Sequence, residues 1–269
     1  MSYYEELGSS GAAVDGWRHF LEQHLRFEAV IQGLQVGPED RVIDLGCGSG
    51  ALLEYLGRDR PGEYLGVDVR ADVVERAGSR WGEEFFRQAD LLSVGREDRG
   101  DVAVAIGALV GGGEEKRGPM EKVAAMMLQL DALSRRGWAL VVLDDEWLAA
   151  DPLRSLDDAL EGASARELRG VAAGLDVEIE VVTGVIPSDL FVFGGSGRVG
   201  AAERLAGDDC HRRVLAGSAE KLQAGDEAWF WMTTGRVDRA GQALRQWGGA
   251  GDRRRFELLC RRWELAQAL

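Results

Sequence analysis

Between residues 41 and 56 a short apolar run, RVIDL, meets Gly46-Cys47-Gly48-Ser49-Gly50, and ALLEYL follows at once. Glycine at every second position strips Cβ atoms from the turn. The backbone can then fold tightly, and a ligand can lie directly on it. A strand, a bare turn and a helix in that order open a βαβ unit. One acid, Asp44, sits inside what reads as a buried strand. The spacing D-x-G-x-G-x-G departs from the pyrophosphate pattern G-x-G-x-x-G. A carboxylate just ahead of the first glycine repels phosphate and suits a cationic ligand, so a nicotinamide or flavin cofactor loses ground.

The remaining chain alternates strand and helix signals. Residues 15–34 form an amphipathic helix with Trp17, Phe20, His24, Phe27, Ile31 and Leu34 on one side, Asp15 as a cap and Gly37-Pro38 as its stop. EYLGVD (63–68), EFFRQ, DVAVAI (101–106) and WALVVL (138–143) read as strands. ADVVERAGSRW and a segment near 120–135 read as the helices between them. Such alternation predicts an open α/β sheet of parallel strands with crossover helices on both faces. After a helical stretch near 153–173, VEIEVVT and DLFVFG lie close enough for an antiparallel pair at the sheet edge. Gly194-Gly195-Ser196-Gly197 reads as a linker. The expected organisation is therefore an α/β domain over 1–197 and a helical appendage over 198–269. Residues 228–244 of that appendage resemble one tetratricopeptide-like hairpin.

Charge narrows the partners. The net charge is −14, and residues 201–269 carry 12 Lys and Arg against 10 Asp and Glu, so the first 200 residues hold an excess of 16 acids. That body repels phosphate backbones and anionic membranes, which argues against a nucleic-acid substrate. No apolar stretch is long enough to cross a bilayer. The N-terminus lacks the basic and apolar blocks of a signal peptide. Cys47, Cys210 and Cys260 are far apart, without zinc spacing, so a reducing cytoplasm is the expected setting.

The motif D-L-G-C-G-S-G resembles motif I of class I S-adenosylmethionine-dependent methyltransferases. The resemblance covers roughly residues 1–195. It implies a Rossmann-like seven-stranded, mostly parallel sheet in the order 3-2-1-4-5-7-6 with strand 7 antiparallel. It also implies S-adenosylmethionine as cofactor and S-adenosylhomocysteine as product. Asp44, Gly46, Cys47, Gly48 and Gly50 match the cofactor turn. Asp68, ending the second strand, matches the acid that holds the ribose hydroxyls, and Asp90, after the third, the one near the adenine amino group. Val69 and Leu91 match the residues flanking the adenine, and Ile106-Gly107 the backbone beside the methionine part. Leu25-Arg26-Phe27 and Pro187-Ser188-Asp189-Leu190 resemble segments of bacterial members without a settled substrate.

Methyl transfer needs an aligned nucleophile and a dry pocket, and a base only where the acceptor must lose a proton. No residue stands out as that base. His24 reads as packed, His19 shares its helix, and Tyr3 and Tyr4 are lid candidates. We expect Arg26 to meet the cofactor carboxylate. Asp144-Asp145-Glu146 lack a matching acid after the fourth strand, so no metal is expected, and Gly111-Gly112-Gly113-Glu114-Glu115 should rim the acceptor side. The leading expectation is a methyltransferase for a small-molecule acceptor. A non-catalytic cofactor-binding module, with a protein partner or self-association through the C-terminal helices, stands as the alternative. Protein methylation is encouraged only by the tail.

Overall fold

The computed structural model describes residues 20–57, 63–108, 118–150, 162–222, 226–236, 238–240 and 243. Tyr3, Tyr4, Asp15, Trp17, His19, the 111–115 rim, the start of the helix expected at 153–173 and the end of the 228–244 hairpin lie outside them. The strands are β1 (Arg41–Leu45), β2 (Glu63–Asp68), β3 (Phe86–Gln88), β4 (Gly100–Ile106), β5 (Ser134–Leu143), β6 (Ile179–Val182) and β7 (Asp189–Gly195). The helices are α1 (Phe20–Leu34), α2 (Ala51–Leu56), α3 (Ala71–Trp81), α4 (Pro119–Leu133), α5 (Asp145–Ala150), α6 (Ala165–Gly174), α7 (Ala201–Arg204), α8 (Asp209–Gly217) and α9 (Asp226–Thr233). Among the described residues no helix is long and apolar enough to cross a membrane.

The strands make one seven-stranded sheet in the order β3-β2-β1-β4-β5-β7-β6. Pairing is parallel from β3 through β5, and β7 is antiparallel to both β5 and β6. Along β4, Val102, Val104 and Ile106 face the layer holding α1 and α2, while Ala103 and Ala105 face α4 and α6. Both faces are covered, which is why these strands read as unbroken apolar runs instead of alternating ones. Each wholly buried aromatic, such as Phe191 or Phe193, contributes on the order of 2 kcal/mol by leaving water.

Helix α1 ends at Leu34, as its pattern predicts, but Gln35 closes it ahead of Gly37: Gln35 adopts φ 52, and the Val36 N–H reaches back to the Ile31 carbonyl at 2.9 Å. This left-handed closure satisfies carbonyls that the helix end would otherwise leave bare. The first half of the expected linker is instead strand, and Ser196-Gly197 lie in a short 3-10 turn. Gly194 and Gly195 belong to β7, and the missing side chain of Gly194 leaves the space that the buried Trp138 ring fills.

The tail does not stand apart either. Ala201, Leu205, Cys210, Val214 and Phe230 share one core with Leu21, Leu25 and Val30 of α1. Glu180 on β6 accepts from the Ala201 and Ala202 N–H groups at 3.2 and 2.8 Å, anchoring the first turn of α7. Ala228, Trp231, Met232 and Ala240 form a small cluster of their own behind it.

Candidate functional site

Strands β1, β2, β3 and β4 deliver four loops to one edge of the sheet, beyond their carboxyl ends, where ligands of open α/β sheets bind. Gly46, Gly48 and Gly50 all lie at positive φ, 82, 52 and 82°. At Gly46 the need for glycine is also steric, since a Cβ there would sit 2.5 Å from the Ala108 Cβ beyond β4. The Gly46 and Cys47 N–H groups both donate to the Val67 carbonyl, at 2.7 and 3.1 Å. The turn is thereby sewn onto β2.

Asp68 completes the seam. Its Oδ2 accepts the Gly48 N–H at 3.0 Å and its Oδ1 the Arg70 N–H at 2.9 Å. Each carboxylate oxygen has a further lone pair, so the group can brace two loops and still receive a diol. Helix α3 begins at Ala71 without a side-chain cap, so helix capping does not account for Asp68. Val69 beside it is 54% exposed. Leu91 stands half-buried across the edge. Asp90 does have a local role: its Oδ1 accepts the Leu92 N–H at 2.9 Å, capping the short turn that holds Leu91. Ile106 is buried, and Gly107 turns the chain away at φ 76°.

Asp44 answers the oddity of an acid in a buried strand. It is 4% exposed and accepts a hydrogen bond of 2.6 Å from the Tyr64 hydroxyl on the neighbouring strand. Such a short bond to a buried carboxylate is worth more than one between neutral groups. Tyr64 was not singled out from the sequence. Its signal, a tyrosine one position ahead of the strand residue paired with Ile43, becomes meaningful only once the register is known. Cys47 is a buried thiol lying against Gly66, a packing role.

A family model described as a methyltransferase domain matches residues 42–127, the stretch that contributes all four loops. Over that stretch, about a third of the chain, the protein is similar to methyltransferase domains. A Mycobacterium tuberculosis protein named as a methyltransferase is 44% identical over 66 residues, 24% of this chain and 39% of that one. The carboxy-S-adenosyl-L-methionine synthase of Trichodesmium erythraeum is 33% identical over 64 residues, 23% of this chain and 25% of that one. The aligned segments thus span well under half of either curated relative. Magnesium protoporphyrin IX methyltransferase from Synechocystis, solved with bound S-adenosylhomocysteine, superposes at a TM-score of 0.51. That match has 16% identity and covers 71% of this chain and 90% of that one. DesVI of Streptomyces venezuelae superposes at 0.50 with 12% identity, covering 70% and 99%. At these identities the structural likeness establishes the fold.

One expected site residue, on the helix ahead of the matched stretch, is placed differently. Arg26 is 5% exposed, with Nη2 donating to Asp189 Oδ1 at 2.9 Å and Nε 2.5 Å from Oδ2. A guanidinium engaged bidentately by a buried carboxylate has its charge already matched. Its expected contact with a cofactor carboxylate is therefore dropped. The two singled-out segments, Leu25-Arg26-Phe27 and Pro187-Ser188-Asp189-Leu190, turn out to be halves of one contact. His24 packs between Phe20, Phe27 and Tyr55, with ring centroids 5.5, 6.4 and 4.9 Å away. Nearby, the buried Glu28 accepts the Tyr55 hydroxyl at 2.9 Å. At the end of β5, Asp144 Oδ1 accepts the Glu146 N–H at 2.9 Å, opening α5. Among the described residues no cluster of His, Cys, Asp and Glu could hold a metal ion.

Proposed function

We propose that the protein is an S-adenosylmethionine-dependent methyltransferase acting on a small-molecule acceptor. The observation that carries this reading is the seam at Asp68. One carboxylate joins the glycine turn to the second strand tip and presents its remaining lone pairs beside the exposed Val69. That set fits an adenosyl group, with Asp68 holding the ribose hydroxyls and Val69 and Leu91 flanking the adenine. Asp90 would approach the adenine amino group, and the bare backbone of residues 46–50 and 106–107 would lie along the methionine part. Asp44, braced by Tyr64, places negative charge beneath the turn, where a cationic sulfonium is favoured and a phosphate is not.

The cofactor supplies an activated methyl group, which an in-line nucleophile takes while the carbon–sulfur electron pair stays on sulfur as the thioether of S-adenosylhomocysteine. The protein's share is alignment and exclusion of water. A base is needed only for an acceptor that must lose its proton, and we assign none. The acidic excess of the first 200 residues supports a small molecule over nucleic acid, and the isolated cysteines support a cytoplasmic setting.

Calorimetric titration with S-adenosylmethionine tests the cofactor assignment. Asp68→Ala should weaken binding by about 30-fold, the loss of a charge-assisted pair of hydrogen bonds worth ~2 kcal/mol. Wild-type affinity in that variant would sink the reading. Incubation with a metabolite extract separates the two functional classes. S-adenosylhomocysteine release marks an enzyme, and binding without release marks a non-catalytic module.

A further inference from the structure

Strand β6 runs parallel to β5, because both are antiparallel to β7, so residues 183–188 turn at the same sheet edge as the glycine loop. Asp189 opens β7 directly opposite Leu143, the last residue of β5. That turn is gripped from two sides. On the sheet side, Arg26 holds Asp189, and the Ser188 Oγ donates to Asp189 Oδ1 at 2.9 Å. The Ser188 carbonyl accepts the Asp144 N–H at 2.8 Å, tying the turn to the tip of β5.

On the tail side, Arg236 Nη1 donates to the Gly184 carbonyl at 2.8 Å and to the Thr234 carbonyl at 2.9 Å. Its Nε donates to Asp208 Oδ1 at 3.1 Å, which fixes the guanidinium against the start of α8. Burial works against ionisation of Asp208, yet hydrogen bonds from Arg236 and Arg239 outweigh it and hold the carboxyl below its ordinary range. Val185 and Ile186, each 2% exposed, are packed in the core that contains Val214 and Phe230. Gly235 brings the tail backbone against the Pro187 ring. The turn is thus buried by the tail on one side and bonded to the sheet on the other.

We infer that the C-terminal helices form the acceptor-side wall of the site, with Arg236 as the positioning residue that holds the 183–188 turn to them. The inference rests on the methyltransferase reading, which gives the loops of β1 to β4 to the cofactor and leaves the β5 end of the same sheet edge to the acceptor. Arg236 acts through the Gly184 carbonyl, and the turn passes that constraint through Ser188 to Asp144. A tail built only to dock a partner would need none of these bonds. Planar geometry is what lets one side chain serve the Gly184, Thr234 and Gly207 carbonyls and the Asp208 carboxylate together, which lysine cannot reproduce.

Amide hydrogen exchange on the full chain tests this, read in peptides covering 183–190 and 143–148 for wild type and Arg236→Gln. Calorimetry with S-adenosylmethionine and S-adenosylhomocysteine release from metabolite extract are measured alongside. Exchange should quicken about tenfold in both peptides. Cofactor affinity should stay within about twofold while release falls about fivefold, the signature of a wall that aligns the acceptor only. Faster exchange confined to 205–240, or cofactor affinity falling in step with release, overturns the inference. Should Arg236→Gln fail to fold, Arg236→Lys keeps the charge facing Asp208 and should show the same pattern at about threefold. A wild-type protein that binds no S-adenosylmethionine would fell the methyltransferase reading, whereas the exchange pattern would still decide whether the tail holds the turn.

Discussion

The two halves of the sheet edge are built by different means. On the side of β1 and β2, the glycine turn and the Asp68 seam are made chiefly from backbone, with partners at most about twenty residues apart in sequence. On the side of β5 and β7, long side chains reach partners distant in the chain: Arg26 the Asp189 carboxylate across 163 residues, and Arg236 the Gly184 carbonyl across 52. A backbone cradle must keep one shape to fit one ligand. A wall of long side chains can be rebuilt residue by residue. Under the proposed function, the division suits a protein whose donor is fixed and whose acceptor is not.

Separating the halves by mutation should separate stability from cofactor affinity. The largest effect is expected at Arg26→Leu, which strands the buried carboxylate of Asp189 and should cost about 3–5 kcal/mol in denaturant unfolding. At a temperature where the variant stays folded, S-adenosylmethionine affinity should remain within about twofold. A parallel loss of affinity would reinstate Arg26 as a cofactor contact.

Mild acid should act next, through a histidine of the tail. Burial, reinforced by the nearby Arg236 charge, pushes the His211 imidazole down to about 4 from an ordinary 6.5. The unfolded chain therefore takes up the proton first as pH falls. Stability from this group is complete above pH 6.5, is lost between 6.5 and 4, and is flat below that. The loss totals about 3 kcal/mol at most. Urea unfolding followed across that window should show the slope, and His211→Phe should flatten it. An unchanged slope in the variant would clear His211 of the effect.

The smallest effect belongs to the cradle. Tyr64→Phe removes the hydroxyl bonded to Asp44 and should destabilise the fold by about 2 kcal/mol. Because Asp44 is then less firmly held, cofactor affinity should drop by about fivefold, in contrast to Arg26→Leu. Equal affinity in wild type and variant would show that the bond serves folding alone.

The same division explains what could be read from the sequence. β1, β2 and α3 begin and end where the residue pattern places them, and the whole strand order follows the family resemblance. Their signals are local: apolar runs, turn glycines, a strand-ending acid. β5 starts at Ser134, earlier than the apolar run beginning at Trp138, because pairing with Gly100 draws a polar segment into the sheet. Gly194 looks like punctuation until Trp138 is seen to need its missing side chain. Arg26 carries the right charge on the right helix, but nothing local says which carboxylate will face it. The tail reads as detachable because Gly194-Gly195-Ser196-Gly197 looks like a linker, and nothing local says that Leu205, Cys210 and Val214 join the main core.

The grip on residues 183–188 has a historical corollary. Arg26 and Arg236 approach that turn from opposite ends of the chain, and neither belongs to the glycine cradle. Substitutions at either anchor would re-aim the turn without disturbing the seam at Asp68. If the proposed activity holds, descendants of such a protein could change diet while keeping the same currency of methyl groups.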